Sequence, residues 1–292
     1  MTGVALEAGP LRAGLAPGAG MVCHSLRHEG EELLTQRDGV EAYVQRGRWM
    51  GVPLLHPWAN RLAAWDYEAL GRSVDLEPLA VEEVVRDRKT GLPIHGVLPR
   101  AWTVLEQDAA RVLAELAWGE DPAFPFPHRM RIEAALTERA LRIATTLEPR
   151  DGEVPVAFGW HPWFTPPGAA RGDYAVELPA MRRIELDDRH LPTGATERVG
   201  AFAGPLPDHE LDDAFDELAA GSSFAVTGGG RRIGLTLDAG YPCAQVFSPP
   251  DKDLVCFEPM TAPADALRTG SFAVAAPGRP YRAAFTIAVD RN

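Results

Sequence analysis

The chain has 292 residues, 46% of them hydrophobic, enough to bury a sizeable core as one large domain or two small ones. A formal net charge of −12 argues against a nucleic-acid binder, which needs a basic patch for phosphates, and against docking on anionic membranes. Three cysteines, Cys23, Cys243 and Cys256, show no C-x-x-C spacing, so neither a disulfide framework nor a zinc site is indicated.

Buried free thiols in a reducing, cytoplasmic setting are expected for the cysteines. The opening residues MTGVALEAGPLRAGLAPGAG lack the basic and apolar regions of a signal peptide, and no stretch approaches the ~20 apolar residues of a membrane span. Along the chain, the first segment with chemical interest is HPWANRLA, residues 56–63, where Asn60 and Arg61 stand side by side. Taken alone, an arginine there is more often exposed than functional. Residues 81–88 carry a weak helical pattern. In LPIHGVLPRAW, His95 precedes Gly96 in an apolar context, which also suits a satisfied core histidine in a bend. WTVLEQDAARVLAELAW reads as a strand pair turning near residues 108–110.

The clearest periodicity is two. Met130, Ile132, Ala134 and Leu136 alternate with mostly polar neighbours, and Leu141, Ile143, Thr145 and Leu147 do so again after a break, predicting a hairpin. AFGWHPWFTPP, residues 157–167, sets His161 between Trp160 and Trp163. Alternation puts Gly159 on the side of His161, where it is expected to keep space open, and sends Trp160 to the opposite face. Pro162 disturbs the alternation, so Trp163 can return to the side of His161 and offer a flat ring. Core packing is the plainer role for both tryptophans.

Residues 212–220 suggest a second short helix, with Asp212 and Asp213 as its acidic start. Residues 228–230 read as a turn, and Ile233, Leu235 and Leu237 mark a further strand. In VFSPPDKDLVCFEPMTAPADAL, Glu258 follows an apolar run, so it is either solvated at a strand end or buried with a perturbed pKa. Tyr281, Ala283, Phe285, Ile287 and Val289 form one face of a last strand. Many short strands with 54 glycines and prolines between them predict an all-β fold, a large antiparallel sandwich or barrel with few short helices. No composition shift divides residues 1–292, so one domain is expected. H-E-x-x-H, G-x-S-x-G and a strand–helix glycine loop are absent, so no metal, serine nucleophile or nucleotide is indicated.

Taken in order, Asn60-Arg61, His95-Gly96, GWHPWF around His161, L-D-x-x-F at residues 211–215, and Glu258 in FEPMTAPADA resemble the aldose 1-epimerase (mutarotase) family. The resemblance spans residues 60–266. It implies a mutarotase-like β-sandwich that binds a pyranose and inverts its anomeric carbon without metal or organic cofactor. His161 matches the family's general acid on the ring oxygen and Glu258 its general base on the anomeric hydroxyl. His95 matches a second histidine near the ring oxygen, and Arg61 and Asp212 match residues that bind sugar hydroxyls. Asn60 and Trp163 are added as substrate contacts, and a slip of one residue would exchange Asp212 for Asp213.

Two features, VLPRAW after the His-Gly pair and FGWHPWF around the acid, look more like the broader mutarotase-related group, which includes hexose-6-phosphate 1-epimerases, than like galactose mutarotases. A phosphate-bearing substrate would need cations, which Arg100 with Arg61, Arg86 or Arg88 would supply. Solvated strand-edge arginines are the simpler expectation. A catalytically silent carbohydrate-binding domain is the reading from another class. A small-molecule sugar is the expected partner, with the chain a monomer or homodimer.

Overall fold

The computed structural model describes residues 3–80 and 82–291. Two antiparallel sheets dominate it. The nine-stranded sheet runs, in spatial order, Thr103–Gln107, Arg111–Trp118, His128–Leu136, Ala140–Pro149, Tyr281–Arg291, Arg231–Ala239, Ser223–Gly228, Ala175–Leu178 and Phe202–Pro205. Its centre contains the period-2 segments of the sequence. His128–Leu136 pairs with Ala140–Pro149 from His128 opposite Pro149 to Leu136 opposite Leu141, the expected hairpin.

The eight-stranded sheet runs Pro192–Val199, Met181–Leu186, Leu211–Asp216, Cys243–Ser248, Val255–Met260, Gly159–Trp160 and Leu54–Leu55, with Trp163–Phe164 pairing alongside Val255–Met260. The two sheets pack face to face. Trp160 meets Phe285 at 5.8 Å between ring centroids, and Phe224 meets Phe257 at 5.5 Å. Each such fully buried side chain contributes about 1.5–3 kcal/mol of transfer free energy. The main apolar core extends from Val4 to Val289.

The middle strands of the eight-stranded sheet do not alternate between buried and exposed. Val255–Met260 is buried at every position, and Cys243–Ser248 at all but one. Their period of two appears instead as a division between two interiors. Val255, Phe257, Ala244 and Val246 face the main core, whereas Cys256, Glu258, Gln245 and Phe247 belong to the opposite side. That opposite side is covered by loops, and it holds the site.

Two expected helices are strands. Residues 211–216 form Leu211–Asp216, held between Met181–Leu186 and Cys243–Ser248, with Arg182 donating to both Asp216 carboxylate oxygens at 2.7 Å. An interior sheet position needs ladder hydrogen bonds on both edges, and this demand overrides the weak helical preference of LDDAFDEL. In 81–88, Val81 lies outside the described residues, and Val84–Arg86 pairs as a strand with Pro93–Val97. The α-helices among the described residues are Gly39–Arg46 and Ala266–Thr269. None is long and apolar enough to cross a membrane.

Candidate active site

Glu258 and His161 meet on the loop-covered face. Glu258 comes from Val255–Met260, where it lies opposite Gln245 of the neighbouring strand. His161 follows Gly159–Trp160, and its backbone N–H donates to Pro53 O at 3.1 Å. His161 Nε2 and Glu258 Oε1 are 3.2 Å apart, with the residues 5% and 3% exposed. Burial raises the Glu258 carboxyl well above its ordinary range, and the neighbouring Asp212 charge adds to the rise. Burial, then His95, pushes the His161 imidazole well below its own. Both shifts favour a neutral pair, a carboxylic acid donating to an imidazole.

His95 stands edge-on to His161 at 5.4 Å and edge-on to Trp49 at 5.1 Å. Its Nδ1 accepts from the backbone N–H of Asn60 at 3.1 Å. The neutral ring therefore carries its proton on Nε2, which is available as a donor. Burial holds its pKa down at about 3, so it stays neutral at physiological pH. His95 and Asn60 both have positive φ, 60° and 57°, and the backbone N–H of His95 donates to Asn60 O at 2.9 Å. Gly96 follows at φ 75°, and a Cβ there would collide with the carbonyl of His56. Two left-handed residues in succession let this strand cross close to residues 56–60.

A chain of hydrogen bonds links the predicted sugar-binding residues. Arg61 Nε donates to Asp87 Oδ2 at 2.8 Å, and Arg61 Nη1 to Asn60 Oδ1 at 3.3 Å. Asn60 Nδ2 donates to Gln245 Oε1 at 3.3 Å, and Gln245 Nε2 to Asp212 Oδ1 at 2.7 Å. His190 Nδ1 lies 3.0 Å from Asp212 Oδ2. All of the predicted site residues, His161, Glu258, Arg61, His95, Asn60, Asp212 and Trp163, line one cavity of about 270 Å³. Asp212 lines it and Asp213 does not, as alternation along Leu211–Asp216 requires.

Trp163 lines the cavity in a different manner from that expected. It stacks on His161 at 4.4 Å and 3°, and the Arg37 guanidinium lies 4.9 Å from its ring centre. The ring therefore backs the imidazole and an arginine before it meets any ligand. Trp160 packs on the main core and donates to Thr145 Oγ1 at 3.2 Å, as alternation predicts. Gly159 does not keep space open: a Cβ there would stand 2.9 Å from both Ala59 Cβ and Pro259 O. Its role is close backbone packing.

Arg100 is absent from the cavity lining. It pairs with Asp121 and with Glu83 at 3.4 Å, and lies 4.1 Å from the centre of the Trp118 ring. Gln245, Asp87, Trp49 and Phe247 line the cavity although nothing in the sequence singles them out. Gln245 and Phe247 alternate with Ala244 and Val246, and that two-residue spacing on a strand beside Glu258 was the signal available for them. The three cysteines are buried and free, with the Cys23 thiol pushed up to about 12 by burial.

The fold is shared with solved structures of low sequence identity. A galactose mutarotase-like protein from Clostridium acetobutylicum superposes with TM-score 0.81 at 18% identity, covering 99% of this chain and 95% of that one. The Slr1438 protein from Synechocystis sp. PCC 6803 gives 0.79 at 22% identity, covering 100% and 96%. A galactose mutarotase-like protein from Lactobacillus casei gives 0.78 at 18%, covering 99% and 100%. A search of curated proteins gave no match. The family model for aldose 1-epimerase matches residues 18–288, which include every residue of the hydrogen-bonded chain above and both members of the Glu258–His161 pair. With this match across nearly its whole length, the chain belongs to the aldose 1-epimerase family.

Proposed function

We propose that the protein interconverts the α and β anomers of a hexopyranose by acid–base ring opening, working as a single sandwich domain over residues 1–292 in a reducing, cytoplasmic setting. The observation that carries the reading is the buried contact of 3.2 Å between His161 Nε2 and Glu258 Oε1. Before a sugar binds, the pair shares one proton, held on the carboxyl because burial disfavours charge on either partner. Moving that proton to Nε2 creates a carboxylate and an imidazolium, which are the base and the acid that ring opening needs.

The carboxylate takes the proton from the C1 hydroxyl while the imidazolium protonates the ring oxygen. The O–H electron pair becomes the C1=O π bond, and the C1–O5 bond breaks. Opening leaves Glu258 protonated and His161 neutral, the distribution that burial prefers. The aldehyde rotates about C1–C2. Closure on its other face returns the proton from Glu258 to O1 and passes the O5 proton to His161. No proton or cofactor is consumed in a cycle. Arg61, Asn60, Asp212 and the Nε2–H of His95 are the groups that fix the sugar while the aldehyde turns.

Anomer exchange followed by NMR tests this over neutral and anionic hexoses. Glu258→Gln and His161→Asn should each slow exchange about 10²–10⁴-fold, the usual contribution of a positioned acid or base. Exchange at wild-type rate in both variants would show the assignment to be wrong. Calorimetric sugar binding by a wild-type protein that accelerates no exchange would leave a binding domain instead.

A further inference from the structure

The cavity mouth is built by two segments: residues 37–49, around the helix Gly39–Arg46, and residues 85–88, at the strand Val84–Arg86. They bring Arg37, Arg46, Arg48, Arg86 and Arg88 to the lining, above Arg61. The same lining holds three carboxylates, Asp87, Asp212 and Glu258. In a chain of net charge −12, this small area is positive against the average of the whole surface. That arginine supplies the charge is uninformative, because Lys89 and Lys252 are the only lysines in the chain. Its concentration at one mouth is the observation.

The partners already present do not account for it. Asp87 is bound to Arg61 at 2.8 Å, Asp212 is held by Gln245 and His190, and Glu258 is buried beside His161. Arg48 is paired with Asp38 at 2.6 Å. Arg86 is drawn outward, 4.2 Å from the centre of the Trp65 ring and 3.7 Å from Glu77. Arg37, Arg46 and Arg88 have no carboxylate within 4.0 Å among the described residues. Arg37 donates to Trp49 O at 3.3 Å. Partial burial, then the charge of Arg48, holds its guanidinium below the ordinary arginine pKa, and Arg88 adds to the effect. Like charges gathered at a half-closed mouth repel one another, and an oxyanion placed between them removes the repulsion and accepts several of their donors at once.

We propose that the sugar taken by this site carries an oxyanion, a phosphate or a carboxylate, received by Arg37, Arg46 and Arg88 at the mouth while His161 and Glu258 act on the anomeric centre. The assignment rests on the epimerase reading and narrows it to anionic pyranoses. Neutral hexoses fit the same chemistry but leave the three arginines without an anionic partner.

The experiment compares kcat/KM for anomer exchange of glucose, glucose 6-phosphate and glucuronate, in wild type and in Arg46→Gln and Arg88→Gln. The wild type should prefer at least one anionic sugar over glucose. Preference for the 6-phosphate identifies a phosphate, and preference for glucuronate a carboxylate. Each variant should lower the anionic-to-neutral ratio roughly tenfold, the loss of one charge-assisted hydrogen bond. A purely structural role would lower all three sugars by one factor and leave the ratio unchanged. Either that result, or a wild type that treats glucose as well as both anionic sugars, overturns the inference and leaves the epimerase reading standing. A wild type that accelerates none of the three removes both.

Discussion

Gln245 joins the two halves of the site. Its amide donates to Asp212 and accepts from Asn60, and the side chain is buried. Replacing it with leucine keeps the size and removes both bonds, leaving the buried Asn60 amide and a half-buried Asp212 carboxylate oxygen short of partners. Gln245→Leu should cost about 1–3 kcal/mol of stability in chemical denaturation. It should also raise KM for the sugar more than it lowers kcat, because Asp212 and Asn60 are proposed to bind hydroxyls rather than move protons. At this scale the sequence was informative about residue types with rare chemistry. His161, Glu258, His95 and the Asn60-Arg61 pair stood out because each is an unusual neighbour for the apolar or turn residues around it. Gln245 and Asp87 did not, because an amide or a carboxylate is ordinary in any stretch of chain and gains meaning only from its partner.

At the scale of the element, the two central strands of the eight-stranded sheet face two interiors. Val255–Met260 and Cys243–Ser248 therefore read as apolar runs, although they retain a period of two in which interior each residue enters. The hairpin His128–Leu136 with Ala140–Pro149 was legible because its outer face is wetter and the alternation is visible in residue type. The helical reading of residues 212–220 failed because local preference cannot see the strands on either side. The strand Pro93–Val97 gives a test at this scale. Gly96 has φ 75° and the carbonyl of His56 where a Cβ would need room, so Gly96→Ala combines backbone strain with a collision against main chain. It should destabilise the fold by at least about 2 kcal/mol in thermal or urea unfolding, and should impair exchange by moving His95.

Over the whole molecule, buried histidines shape the response to acid. His56 Nε2 and His128 Nε2 are 3.0 Å apart, and His128 Nδ1 is 2.6 Å from Phe126 O. The carbonyl requires a proton on His128 Nδ1, so His56 donates to His128 and both rings are neutral. Burial holds His56 well below its ordinary pKa, His128 at about 4 and His95 at about 3. These depressed values mean that the unfolded chain binds protons below pH ~6.5 that the folded chain refuses. Stability should fall as pH drops from ~6.5 toward ~4.5, by up to about 1.4 kcal/mol per pH unit for each such histidine. His161 contributes in the same direction, and Glu258 opposes it, since its raised carboxyl keeps a proton that the unfolded chain releases. His56, His128 and His95 steepen the fall, and the half-buried His24, whose pKa burial also lowers, adds to it in the same direction. Urea unfolding across this range should show it, and His128→Phe should reduce the slope whatever its effect on stability at neutral pH, both by removing one histidine and by relieving His56 of its neighbour. A slope unchanged by that substitution would contradict the assignment.

By itself the sequence determined the all-β class, six of the nine strands of the larger sheet, and the unusual residues whose order resembles the aldose 1-epimerases. These features depend on local spacing and on side-chain chemistry, both of which are written in the chain. The tertiary structure alone decided that Glu258 and His161 come within hydrogen-bonding distance, that Asp212 rather than Asp213 lines the cavity, and that Trp163 backs the imidazole. It alone removed Arg100 from the mouth and brought Arg37, Arg46 and Arg88 there. Each of these facts is a contact between residues distant in sequence, set by strand register and by the loops that close over one face of a sheet, and no local pattern encodes such a contact.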